Sequence, residues 1–497
     1  MMKIKKRSLT MAAYFWIYAA IFTFLLGYLK WYIGIPGALV VGFALFVVWK
    51  KEHPEKVFLI HKSAWITACI VIPVWMILSG QGGFFSQLMD WGGRNAILRD
   101  MVERPWPVYY SDGSALTYYI GHFLVPAAAG KLLGLTGAKI VLLLYSCVGV
   151  FITWLFLVKV TRADTCKKQL FVLLVFIFFG SLENLRVIMT NFAEGFFRAI
   201  DPEYTKGYFM IGFTSNAKSM SGVFNQIIFA FLAIALYMED DEKLENIFVL
   251  GVPMLIFSPF PLMAFLPMVL AGVIRQVIKN KNQLGTVAKK ICSIQNILIF
   301  VVLAPVLLLY LWGNISGEKP QEMAFHMLHY GWKNIWIYVV FVLCEFIPYS
   351  VLLWTKYKKD VYFWVANLTL LILPLFQMGL YNDLCTRASS VGMFVLMIYI
   401  ICFLFEERKD KIFKCCKTAL ACLLIFAMTA SVDLYFDIAK KTSELAAKQE
   451  YESREVDFWH SLEGIRRLNQ VDYTYNYFTF NASDDAFYHY LAKSPKE

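Results

Sequence analysis

The feature that most constrains this chain is the rhythm of its apolar runs. Stretches of roughly 17 to 23 residues with almost no charge recur along its length, parted by short charged clusters. A helix rises about 1.5 Å per residue, so most such runs can cross a hydrocarbon core about 30 Å thick. Only 17% of residues are charged and 59% are hydrophobic. Soluble domains carry about 25% charge, so an ordinary soluble fold is excluded. The pattern predicts an all-α polytopic membrane protein.

Runs at 10–29, 33–49, 63–79, 137–158, 169–182, 222–238, 246–258, 260–277, 294–312, 332–351, 361–377, 388–405 and 417–434 predict about 13 transmembrane helices. The apolar piece 118–134 is read differently, as a juxtamembrane helix on the outer interface. It holds His122, Pro126 and Lys131, and counting it as a span would carry Lys159, Arg162, Lys167 and Lys168 outside. The runs flanking Ser258 and Pro259 are either two spans or a buried break within the membrane.

Orientation follows from charge. The proposed inner segments hold 26 Lys and Arg, against 13 elsewhere before the tail, the bias that retains loops in the cytoplasm. The N-terminus is therefore expected inside and the C-terminus outside the plasma membrane. A transmembrane domain over 1–434 would carry outer loops 80–136, 183–221 and 313–331, followed by an extracytoplasmic tail over 435–497. The end of the tail is rich in Tyr and Phe, which suits a pair of short strands against the outer loops. The net charge of +11 is spread over many short loops, with no basic face for nucleic acid. Six of the ten cysteines lie in apolar runs and three in basic loops, so no disulfide framework or zinc spacing is read.

The first outer loop concentrates the chemistry. Asp90, Arg94, Asp100, Glu103, Arg104 and Asp112 fall within 23 residues, and 93–103 reads as a helix ended by Pro105. Trp106, Tyr109 and Tyr110 suit the headgroup layer. Transfer from a lipid-phosphate donor needs a carboxylate to take a proton from the acceptor and cations to hold the departing phosphate. Asp90 is the first candidate base, with Asp100 and Asp112 as alternatives. A plain solvated ion pair of Asp90 with Arg94, four residues on, competes with that role. Arg94, Arg186, Arg198 and Lys218 are candidate phosphate ligands, since guanidinium groups offer several donors in a fixed fork. Asp383 and Arg387, four apart at the mouth of a helix, form a further cluster. Glu345 stands alone within an apolar run, with Pro348 to kink the helix beside it. His122, His326 and His329 read as structural or surface groups, and no metal ligand set is assigned.

These segments resemble a known class. DWGGRNAILRD (90–100), PWPV (105–108), YYIGHFLVPAAAGKLLG (118–134), RASSVGMFVLM (387–397) and FYHYLAK (487–493) are similar to segments of a group of uncharacterised bacterial polytopic membrane proteins. A long outer loop with an early Asp, followed by a juxtamembrane Tyr-Tyr helix, resembles the multispanning glycosyltransferases of the GT-C class. The resemblance implies a membrane transferase that takes a polyprenyl-phosphate-linked sugar as donor and a glycan or lipid as acceptor, with Asp90 matching the catalytic Asp. Met89 stands where that class often has a second acid, so a divalent metal has no support and no cofactor is assigned. The alternatives are a transporter, polymerase or ligase of lipid-linked glycans, or a non-enzymatic membrane scaffold.

Overall fold

A computed structural model describes residues 1–52, 57–88, 90–185, 211–239, 244–280, 283–315, 324–325, 335–378, 382–447, 461–464 and 477–494. Its helices are α1 (Lys6–Tyr28), α2 (Trp31–Lys51), α3 (Lys62–Leu78), α4 (Trp91–Glu103), α5 (Gly121–Val160), α6 (Cys166–Phe178), α7 (Asn216–Gly222), α8 (Phe224–Glu239), α9 (Ile247–Gly251), α10 (Met254–Phe257), α11 (Pro259–Lys279), α12 (Leu284–Ile291), α13 (Ile294–Ile315), α14 (Ile335–Glu345), α15 (Ile347–Tyr357), α16 (Val361–Ile372), α17 (Ser389–Phe405) and α18 (Lys411–Ala447). Three two-stranded antiparallel ribbons accompany them: Met2–Lys5 with Val57–Ile60, Ala115–Leu116 with Phe478–Thr479, and Ala324–Phe325 with Phe376–Gln377.

The expected 13 spans are corrected. Among the described residues seven helices are long and apolar enough to cross a membrane, or eight if α14 and α15, bent by 58°, count as one. The physical reason is that hydropathy does not separate lipid-facing helices from helices buried in protein. In α8 every residue from Phe224 to Tyr237 is buried, so its apolar surface meets other helices. At 16 residues it reaches about 24 Å. Helices α6 and α16, of 13 and 12 residues, are shorter still, and the run 246–258 is divided between α9 and α10. By contrast α2 exposes Trp31, Tyr32, Leu39, Phe43 and Trp49. Its end tryptophans stand about 27 Å apart along the axis, close to one hydrocarbon thickness.

The two ends of the bundle differ chemically. At one end Lys6 and Lys159 share Glu239, at 3.1 and 2.5 Å, and Lys51 meets Glu245 at 3.6 Å. At the other, Tyr28 packs on Trp106 with ring centroids 5.6 Å apart, and Lys493 N–H donates to the Tyr28 carbonyl at 2.9 Å. These are called the Lys6 end and the Tyr28 end. Helix α18 has 37 residues, about 55 Å, and so carries helix well past residue 434. The C-terminal segment 477–494 returns to the Tyr28 end, contributing one two-residue strand there.

Segment 118–134 also departs from expectation. Gly134 adopts φ 72° and ψ −177° inside α5, a region essentially reserved for glycine, and the chain reverses there. A Cβ on Gly130 would stand 2.7 Å from that of Ala138, where eight residues of straight helix would separate them by about 12 Å. The His122 ring contacts Ser146 Oγ at 2.8 Å. The first limb of α5 therefore packs antiparallel along the second instead of lying across it. It begins level with Trp16, at the middle of α1, whose ring is 5.9 Å from that of His122. It ends beside Trp106 and the Tyr28 end, where Lys131 Nζ donates to the Arg104 carbonyl at 2.6 Å.

The SPFP turn is a buried break. Ser258 is buried, its hydroxyl donates to the Gln226 carbonyl, and Phe257 packs on Trp16 at 6.0 Å. The segment before it starts at the Lys6 end, where Asn296 Nδ2 donates to the Leu244 carbonyl at 2.8 Å. Helix α11 then returns to that end, so α9–α11 form a hairpin whose tip lies at the level of mid-α1.

Candidate functional site

The site is built around the first turn of α4. Trp91 stacks on Phe224 at 4.6 Å and its Nε1 donates to the Ser221 carbonyl at 2.7 Å. This pins the start of α4 against α8, well inside the bundle. Asp90 precedes the helix and Arg94 lies one turn on, with Nη2 and Oδ2 3.5 Å apart. The two are placed unequally: the Arg94 side chain is 4% exposed and that of Asp90 57%. Arg94 Nε donates to Asn225 Oδ1 at 3.4 Å. Arg94 Nη1 and Asn225 Nδ2 are buried donors with no acceptor among the described residues. Buried donors left so are costly, which makes this a place for an oxygen-rich group.

A second acid–base pair arrives from 293 residues further along. Asp383 and Arg387 bond at 2.8 Å across a π-helical turn, Leu384–Ala388, that leads into α17. Asn382 sets the turn: it takes φ 52° and its amide oxygen accepts from Met378 N–H and Cys385 N–H, each at 3.3 Å. The Arg387 guanidinium lies 5.5 Å from the Phe260 ring, at the start of α11.

Tyrosines join the two pairs. Tyr118 and Tyr119 precede α5, with rings 4.3 Å apart, and Tyr477 from the C-terminal segment meets Tyr118 at 4.7 Å. Burial foremost, and next the neighbouring Tyr118, push the Tyr477 phenol above its ordinary value. Arg94 and Arg387 pull it down while Asp90 pushes it up. Asp90 and Arg94 of one pair and Arg387 of the other thus act on one hydroxyl. Tyr119 is likewise raised, by burial first and then Tyr118, and feels Arg387 and Asp383.

The structure thus brings together Asp90, Arg94, Asp383 and Arg387 of the residues singled out from the sequence. It sets three others apart. Asp100 is buried at the far turn of α4, where it accepts from Tyr110 Oη at 2.9 Å and Leu462 N–H at 3.0 Å. Burial, its largest influence, pushes the Asp100 carboxyl up to about 6 against those two bonds. It clips residues 461–464 to α4 and does not face Asp90. Asp112 is exposed in a turn and accepts from Ser114 N–H at 3.0 Å, as an aspartate does when it shapes a tight turn. Lys218 is exposed on α7. Arg186, Arg198, His326 and His329 lie outside the described residues.

Sequence reasoning missed Asn225, Phe260 and Tyr477. For Asn225 a signal existed: Asn225-Gln226 is an amide pair at the head of an otherwise apolar helix, a costly placement in a membrane protein without a partner. Nothing local marks Tyr477 among the seven Tyr and Phe residues of 473–488.

Comparison with protein-family models, with curated proteins and with solved structures finds no match. The fold alone sets the class: this is a multi-pass membrane protein.

Proposed function

We propose that the protein is a membrane glycosyltransferase that moves a sugar from a polyprenyl-phosphate donor to a hydroxyl of a glycan or lipid acceptor. The Lys6 end faces the cytoplasm, as the concentration of lysines there favours, and the reaction runs in the half of the bundle toward the Tyr28 end. The observation that carries this reading is the convergence of two guanidinium groups, Arg94 buried and Arg387 partly buried, with unfilled donors on Arg94 and Asn225 beside them. Arg94 and Arg387 hold the phosphate, and the aromatic faces of Tyr118, Tyr119 and Phe260 line the sugar's place. Asp90, the exposed member of its pair, takes the acceptor proton as the hydroxyl oxygen bonds to the anomeric carbon. The bond from that carbon to the phosphate oxygen breaks, and polyprenyl phosphate leaves with the electron pair.

A second reading rests on Glu345, buried where α14 and α15 bend by 58°. A carboxylate at a broken helix suits an ion-coupled transporter of lipid-linked glycans.

One experiment separates them. The full chain in proteoliposomes receives a panel of radiolabelled polyprenyl-phosphate sugars, and free polyprenyl phosphate is measured with and without an acceptor glycan. Transfer predicts its release, with Asp90→Asn slower by about 10² to 10⁴ and Arg387→Ala raising KM for the donor. Movement of intact donor across the bilayer without release, or full activity in Asp90→Asn, overturns the reading.

A further inference from the structure

The Lys6 end holds a charged cavity, toward the opposite end of the fold from Asp90. Its volume is about 610 Å³ and its wall includes Arg162, Lys168, Lys356, Tyr357, Asp360 and Glu406. Most of these charges are already engaged. Lys168 pairs with Asp164 at 2.7 Å, and Lys356 and Arg408 both pair with Glu406. Asp360 caps α16 and accepts from Tyr399 Oη at 2.6 Å.

Arg162 differs. Its guanidinium, exposed on the cavity wall with Cys402, has no hydrogen bond or ion pair among the described residues. The Tyr357 hydroxyl, on the same wall, is buried and also lacks a partner among the described residues. The cavity thus offers one uncommitted cation and one uncommitted hydroxyl.

The backbone adds an independent observation. Helix α5 ends with Ala163 N–H donating to the Val158 carbonyl at 3.0 Å and Arg162 N–H to that of Lys159 at 3.2 Å. This paired closure places residue 162 in the left-handed region, at φ 52°, the position that helices ordinarily give to glycine. Arginine is held there at a backbone cost that glycine would avoid, and its side chain is delivered to the cavity.

We propose that this cavity binds a phosphate group, with Arg162 as its anchoring cation and the Tyr357 hydroxyl as a second donor. Val160, Met238, Ile398 and Phe405 supply an apolar wall beside the charges. Such a wall suits the phosphate of an anionic phospholipid whose chains lie along the helices. A soluble phosphate ester carries the same chemistry.

The test uses the full chain in two arms. In nanodiscs of dioleoylphosphatidylcholine with dioleoylphosphatidylglycerol, native mass spectrometry counts retained phosphatidylglycerol. In detergent, the rise in Tm with glycerol 3-phosphate is measured. Arg162→Gly is the informative variant, because glycine relieves the left-handed backbone and keeps the fold. It should lower retention of phosphatidylglycerol about tenfold, the worth of a charge-assisted hydrogen bond, at equal or higher Tm. Arg162→Lys should recover part of the loss. Loss confined to the glycerol 3-phosphate arm would support the phosphate site and assign it to a soluble ester. Equal lipid retention and equal Tm response in wild type and Arg162→Gly would overturn the proposal.

Discussion

Replacing Asp100 with Asn should make the protein's stability less dependent on pH. In the fold the carboxyl keeps its proton up to about pH 6, against an ordinary value of 3.8, chiefly because it is buried. Its side chain is only 1% exposed, so solvent screening removes little of the effect. Between pH 4 and 6 the folded state therefore binds more protons than the unfolded state. Stability from this group is complete below the unfolded value and is lost as pH rises through the folded one. A shift of about two units, at 1.36 kcal/mol each, corresponds to about 3 kcal/mol. Asparagine mimics the neutral acid and still offers an oxygen to Tyr110 Oη and Leu462 N–H. The measurement is thermal unfolding of the purified protein, followed by tryptophan fluorescence from pH 4 to 7.5. Wild type and Asp100→Asn should match near pH 4, and the variant should gain on wild type as the pH rises to 7. A difference that does not change with pH would refute the assignment of a buried, proton-holding carboxyl.

Gly134→Ala should destabilise the fold by about 1 to 3 kcal/mol through the backbone alone, since a Cβ there meets nothing within 4 Å; a Tm equal to wild type would count against the chain reversal. Gly93→Ala would place a Cβ 2.8 Å from the Tyr477 hydroxyl. It should slow sugar transfer by displacing the Tyr477 ring, and Tm should hold or fall, because overpacking of about 1 to 3 kcal/mol offsets the roughly 1 kcal/mol by which alanine favours helix. Glu239→Gln removes the carboxylate shared by Lys6 and Lys159. It should cost about 3 kcal/mol or more, seen as a lower Tm, and an unchanged Tm would show the cluster to be solvated.

Much of the fold was legible where one local signal sufficed. The runs that became α1, α2, α11, α13 and α17 are marked by length and apolarity, and Lys51, Lys159 and Lys356 were grouped correctly at the end that carries Lys6. The number of spans was not legible, because α8 reads like a lipid-facing helix although protein covers it. Each half of the site was visible as an acid four residues before an arginine, the spacing that faces both groups along one turn. That Asp90–Arg94 and Asp383–Arg387 meet around Tyr477 depends on packing between segments hundreds of residues apart, which no local pattern carries.

The two irregular segments explain why the site lies where it does. The first limb of α5 enters from the Tyr28 end and the α9–α11 hairpin from the Lys6 end. Their tips touch, since a Cβ on Gly121 would stand 2.7 Å from the Phe257 ring and 3.0 Å from the Ile256 carbonyl. Backbone that leaves the helix at this depth cannot face lipid, because its N–H and C=O groups would go unpaired. It must be enclosed by protein or line a polar cavity, and here protein groups enclose it. Ser258 turns its hydroxyl to the Gln226 carbonyl, and Tyr310 Oη accepts from Tyr118 N–H and donates to the Tyr118 carbonyl, each at 3.1 Å. Once the chain is broken at that level, helix ends and polar side chains can gather where continuous spans would present only apolar surface. Phe260 follows one break and Tyr118 and Tyr119 precede the other, which is how residues from both come to flank Arg387. Closing either break into a straight helix should therefore disperse the site before it unfolds the bundle.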